Sequence, residues 1–197
     1  MFEDTKEYSV DEIYRMMNAD IKRNGLRNKA IIALFLGTGL RASELASLNI
    51  GDYMDSKDQM LYVKRKGGIM RHVPMADFSF PAVNAYLEWR GETDKSKPLF
   101  VSERGNRMNR NSIYNAIRYI QEKVGVKTGL HNFRHTVLSS IAKTTSRDIA
   151  QTVASHSDKK TTGIYIHETK KDMLDAINNI PWGKQKNKDG EEKYSYE

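Results

Sequence analysis

The sequence predicts a mostly α-helical fold with one small antiparallel β-hairpin sheet, and three stretches carry that prediction. Ser9-Val-Asp-Glu12 is a capping box, and Ile13, Met16, Met17 and Ile21 behind it form one apolar stripe at helical spacing. From Ala30 to residue 36 the chain is apolar on nearly every side, the pattern of a helix buried at a domain centre. Residues 60–65 and 69–74 are β-rich runs flanking Lys66-Gly67-Gly68, which together signal a hairpin.

The remaining elements follow in chain order. The first helix is expected to stop near Asn24-Gly25. The central helix over 28–36 breaks at Gly37-Thr38-Gly39, and a short helix starting near Arg41 carries Leu45 and Leu48 inward. Pro81 to Arg90 reads as a helix with Val83, Tyr86, Leu87 and Trp89 as its apolar residues. Residues 98–102 read as a brief extended segment and 102–111 as a basic loop. Asn111 or Ser112 is expected to cap a helix that carries Ile113, Ile117 and Ile120 and ends at Gly125. Three or four further helices cover 131–179, one running from Ser146 to His156. The organisation expected is one domain over residues 1–182 and a polar, charged tail over 183–197 without fixed structure.

Composition narrows the function classes. A chain of 197 residues is one domain with a core large enough to fold without staples. It contains no cysteine, which removes disulfides and thiolate metal sites and fits a reducing compartment. The polar, partly acidic start MFEDTKEYSV resembles neither a signal nor a transit peptide. The longest apolar run, AIIALFLG at 30–37, is too short to span a bilayer. A cytoplasmic protein with no membrane partner is expected. The formal net charge is +7, and the tail 183–197 holds four lysines and four acids, so the whole excess lies in residues 1–182. Such an excess favours a polyanion partner, nucleic acid being the usual one.

The chemistry concentrates between His131 and Tyr165. In a helix His131 and Arg134 share a face. A guanidinium is the side chain best shaped to hold a phosphate by two parallel hydrogen bonds. His156 follows, and nine residues later Tyr165, whose hydroxyl could attack such a phosphate and become covalently linked to it. Upstream, Gly37 and Gly39 let the backbone turn sharply beside Arg41, and Glu44 stands where a salt bridge would orient that arginine. His131 and His135 also make an i, i+4 pair, but a zinc helix would read H-E-x-x-H. Here Asn132 takes the glutamate position and Arg134 stands beside the pair, so no metal is expected and His135 is read as a packed, hydrogen-bonded residue. No P-loop pattern and no compact carboxylate cluster is present, so no cofactor is expected.

Taken together, TGLRASEL around Arg41, KRKGGIMRHVP around Lys66, HNFRH, ASHSDKKTT and GIYIH resemble the tyrosine recombinase (phage integrase) family in order and spacing, from about residue 8 to residue 168. The resemblance implies a catalytic domain that cleaves and rejoins double-stranded DNA through a 3′-phosphotyrosine. Arg41 and Arg134 would be the phosphate arginines, His131 a proton acceptor or phosphate donor, His156 a phosphate donor and Tyr165 the nucleophile. Lys66 would protonate the leaving 5′-oxygen, with Lys64 the next choice and Arg65 and Arg71 close by; the alternative for all four is a solvated basic hairpin touching backbone phosphates. The family's Leu-Gly-His is Ala154-Ser155-His156 here, which alters the local backbone and leaves the imidazole in place. The activity implied is site-specific recombination or integration of a mobile element, on the nucleoid when bound to DNA. A type IB topoisomerase-like relaxing enzyme and a non-catalytic DNA-binding regulator are the alternatives. The resemblance further implies protomer assembly on DNA through a terminal helix at 168–180, in which Met173, Leu174 and Ile177 are apolar. Family members usually carry a separate DNA-clamping domain before this one; about eight residues precede the match here, as in an excised piece or a short member.

Overall fold

The protein's structure is a computed structural model that describes residues 7–22, 24–64, 70–129, 132–155, 163–183, 185–186 and 192–193. The helices are α1 (Val10–Met17), α2 (Gly25–Thr38), α3 (Ala42–Ser47), α4 (Ile50–Met54), α5 (Ser79–Arg90), α6 (Arg110–Val124), α7 (Asn132–Thr144), α8 (Arg147–Ser155) and α9 (Gly163–Asn178). Strands β1 (Met60–Lys64) and β2 (Met70–Pro74) pair antiparallel between α4 and α5, with Val63 opposite Arg71 and Lys64 opposite Met70. The helical fold with a small hairpin sheet is as the sequence predicts, and the ladder closes toward the expected turn; residues 65–69 lie outside the described residues.

Helix α2 is the hub. Ala30 to Leu36 are all at most 3% exposed, because α1, α5, α6 and α7 surround the helix. Its approach to α5 depends on Gly37: a Cβ there would lie 1.8 Å from Ser79 Oγ, which donates to the Ala33 carbonyl at 3.0 Å. At its end Gly39 takes the left-handed conformation (φ 62°) and returns its N–H to the Phe35 carbonyl. That is the sharp turn expected before Arg41. The capping box of α1 is present in both directions, Ser9 Oγ accepting from Glu12 N–H and Glu12 Oε2 from Ser9 N–H.

The structure differs from the sequence reading in several places. Helix α1 ends at Met17, and Asn24, left-handed at φ 57°, opens α2 instead of closing α1. Asn109 caps α6, its side chain accepting the Ser112 N–H at 2.9 Å, so the helix starts before Asn111. Trp89 is 64% exposed, on the outer side of α5, whereas Val83 and Tyr86 are buried. In the tail, β3 (Gln185–Lys186) pairs with β4 (Glu192–Lys193), a short ladder where none was expected. Met173, Ala176 and Ile177 of α9 are buried in the chain's own core, as are Ile180 and Trp182 beyond it. Of the apolar residues expected on this terminal helix, Met173 and Ile177 thus pack into the chain's own core and Leu174 lies partly buried against it. Among the described residues no helix is long and apolar enough to cross a membrane.

Candidate active site

Arg41 is the N-cap of α3, with extended backbone (φ −77°, ψ 151°). Glu44 closes the helix start from inside: its Oε2 accepts the Arg41 N–H at 2.8 Å, and its Oε1 lies 3.3 Å from Arg41 Nη1. The other end of α3 is held by Arg107, whose Nη1 donates to the Ala46 and Leu48 carbonyls at 3.1 and 2.9 Å. A helix this short would fray alone. Pinned at both ends, it presents the Arg41 side chain half exposed, at 48%.

Arg134 lies in the first turns of α7. Its neighbour Phe133 stacks between Tyr8 (centroids 4.4 Å apart) and Phe35 (5.6 Å). Tyr8 in turn donates its hydroxyl to the Thr128 carbonyl at 3.1 Å and its N–H to Thr136 Oγ1 at 3.0 Å. The N-terminal segment thus braces the loop that feeds α7. Arg134 Nη1 donates to the Gly39 carbonyl at 2.5 Å and Nη2 to the Ala154 carbonyl at 2.9 Å, tying the ends of α2 and α8 to one guanidinium.

Arg41 and Arg134 line the same cavity, about 270 Å³, together with Ser43, Arg110, Tyr114 and Phe133. A second hollow of about 520 Å³ shares Arg110 and Tyr114 and adds Arg118 and Lys127. The Arg110 guanidinium sits over the Tyr114 ring, 5.3 Å from its centroid. Among the described residues no carboxylate lines either hollow. Five cationic side chains along two hollows that share lining residues give the positive potential an extended anion would need. The sequence reading missed Arg110, Tyr114 and Arg118, although their i, i+4, i+8 spacing on a helix already places them on one face.

Glu44 is the carboxylate behind this surface. Burial alone would raise its pKa; the Arg41 N–H and the charges of Arg71, Arg41 and Arg134 outweigh that and hold it below its ordinary value. Glu44 meets Arg41 with both carboxylate oxygens, one on the backbone N–H and one beside the guanidinium. Arg71 corrects the reading of a solvated hairpin: it is 2% exposed and reaches Glu44 Oε2 at 3.1 Å. Period-2 alternation carried the signal, since Arg71 and the buried Val73 share a face of β2. Lys64, by contrast, is exposed at the end of β1. His135 is exposed too, not packed as expected, because it faces away from the core side of α7 that holds Thr136 and Val137.

Four of the predicted groups fall elsewhere. Lys66, His131 and His156 lie outside the described residues, and Tyr165 stands in the first turn of α9 with its side chain outside them. Their described neighbours are the ends of β1 and β2 for Lys66, the start of α7 for His131 and the end of α8 for His156.

The helical domain with its hairpin thus brings two arginines from distant segments to one cavity that, among the described residues, no carboxylate lines. The chain belongs to the phage integrase family, whose profile matches residues 6–172. It is 30% identical over 183 residues to the tyrosine recombinase XerC of Thermodesulfovibrio yellowstonii, covering 87% of this chain and 60% of that protein. It is 33% identical over 161 residues to XerC of Corynebacterium glutamicum, covering 78% and 50%, and 30% identical to the tyrosine recombinase XerA of Pyrococcus horikoshii, covering 87% and 60%. The chain thus spans about half to three-fifths of the length of the curated relatives it matches. Among solved structures, a XerA recombinase superposes with a TM-score of 0.66 at 27% identity, over 83% of this chain and 63% of that one. The lambda integrase catalytic core shares the fold at 17% identity, with a TM-score of 0.59 over 79% of this chain and 95% of that one.

Proposed function

We propose that this chain is the DNA-cleaving and rejoining module of a site-specific recombinase. The observation that carries this reading is the convergence of Arg41 and Arg134 on one cavity, lined by no carboxylate among the described residues, that continues along Arg110, Arg118 and Lys127. A phosphodiester carries one negative charge and its five-coordinate transition state about two, so donors fixed in advance favour the transition state. The names of the relatives, all tyrosine recombinases, support the same reading.

In the reaction, Tyr165 Oη forms a bond to phosphorus as the bond from phosphorus to the 5′-oxygen breaks. The phenol proton passes to His131, and Lys66 delivers a proton to the leaving oxygen. His156 donates to a non-bridging oxygen. The ester retains the bond energy, so attack by a 5′-hydroxyl reseals the strand without a nucleotide cofactor. Assembly of protomers on DNA belongs to this proposal. Because Met173 and Ile177 are already buried, contact through a docked α9 would use its outward residues Lys171, Asp172 and Asp175.

The test is trapping. A library of nicked duplexes of randomised sequence is incubated with the chain, denatured, and searched for DNA that remains attached to protein. Sequence-selective adducts are expected from the wild type and none from Tyr165→Phe, with chelator making no difference. Adducts that persist in Tyr165→Phe would overturn the proposal.

A further inference from the structure

We propose that Arg71 is a positioning residue for the reaction: its buried guanidinium, on the strand leading out of the hairpin, keeps Arg41 available to phosphate and fixes the end of α8. This rests on the reading of Arg41 and Arg134 as phosphate-holding groups. The side chain of Arg71 is 1% exposed. Nη2 lies 3.1 Å from Glu44 Oε2, and Nη1 donates to the Val153 and Ala154 carbonyls at 3.3 and 3.4 Å.

Two of these three acceptors are shared with a phosphate arginine. Glu44 Oε2 also takes the Arg41 N–H, and the Ala154 carbonyl also takes Arg134 Nη2. One guanidinium thus reaches Arg41 through Glu44 and Arg134 through Ala154. A buried cation holds its acceptors firmly, since leaving it uncompensated is strongly unfavourable. The negative end of α8 adds to that hold.

The consequence for Arg41 is specific. Glu44 is nearly buried and carries a full charge, and alone it would draw the Arg41 guanidinium into a closed two-pronged pair. With Arg71 at Oε2, the Arg41 guanidinium meets Glu44 at Oε1, 3.3 Å away, and stays half exposed toward the cavity. On the other side, the carbonyls of Val153 and Ala154 fix the last turn of α8, which His156 follows directly. Lysine cannot replace this, because a single ammonium lacks the planar fork that serves the carboxylate and the carbonyls together.

Two measurements on the full chain test the proposal, with Arg71→Lys and Arg71→Gln beside wild type. In DNA-free protein, amide exchange over residues 41–45 and 152–155 should rise about tenfold in both variants while α1 and α5 stay unchanged. In the second, a nicked duplex recovered from the trap is made with its scissile phosphate either native or as a neutral methylphosphonate. Both variants should cleave the native duplex about 10- to 100-fold more slowly, and the methylphosphonate within about twofold of wild type, because it lacks the charge Arg41 serves. Equal losses on both substrates, or exchange that rises throughout the molecule, would reduce Arg71 to a stabilising residue and overturn the proposal. If wild type forms no adduct, the DNA-cleaving reading fails, and the exchange pattern alone decides: local loosening upholds the tie, and unchanged exchange at both segments refutes it.

Discussion

At the residue scale, Arg41 and Arg134 deliver charge to one cavity from separate parts of the chain. Arg41→Ala and Arg134→Ala should each lower adduct formation by about 10²–10³, since each removes a fixed donor from the non-bridging oxygens. In the proposed mechanism Lys66 has a different task. Lys66→Ala should slow cleavage by about 10²–10⁴, because the leaving 5′-alkoxide then departs without its proton. A substrate with a bridging 5′-sulfur needs no such proton, so Lys66→Ala should cleave it near the wild-type rate, whereas the arginine variants should not be rescued. If Lys64→Ala shows the rescue instead, the acid is misplaced by two residues. Arg41, Glu44 and Arg134 were legible in the sequence because glycine turns and i, i+3 spacing constrain direction locally. The burial of Arg71 depends on which face of the hairpin meets α3 and α8. That is a long-range fact, visible in the chain only as alternation with Val73.

At the scale of elements, the site is held by close contacts between helices. Gly37→Ala should destabilise the fold by about 1–3 kcal/mol, read as a lower urea midpoint, because Ser79 must leave its place against α2. Glu44→Gln should cost about 3 kcal/mol, since it leaves the buried Arg71 without its counter-charge. The pH dependence follows from the same carboxylate. Its pKa is held below the ordinary 4.5, so its contribution is complete above that value and is lost as pH falls through the folded-state pKa. Acid unfolding followed by circular dichroism should therefore be steeper below pH 4.5 in wild type than in Glu44→Gln. Boundaries set by local chemistry, such as the Ser9–Glu12 capping box, could be read directly. Asn24-Gly25 could not, because the left-handed conformation that Asn tolerates serves a helix start as well as a stop.

At the scale of the whole molecule, the proposed DNA binding depends on where the positive excess lies. Arg41, Arg110, Arg118, Lys127 and Arg134 line two joined hollows, and neutralising about five phosphates gives a log–log salt slope of about −4 to −5. Affinity for duplex DNA, measured by fluorescence anisotropy across a salt series, should show that slope. Removing residues 184–197 should leave it nearly unchanged, because that stretch holds four lysines against four acids. The fold class and the order of the site were legible because several weak motifs had to agree. The basic ridge of α6 was not, since it becomes a surface only when the loop at 126–129 folds beside it. Whether Tyr165 carries the DNA can be read from the covalent adduct itself. Trapped adduct is digested with nuclease and protease, and the peptide bearing the nucleotide is identified by mass spectrometry. The account predicts a nucleotide joined through its 3′-phosphate to Tyr165. A 5′-phosphate linkage, or attachment to any other residue, would contradict it.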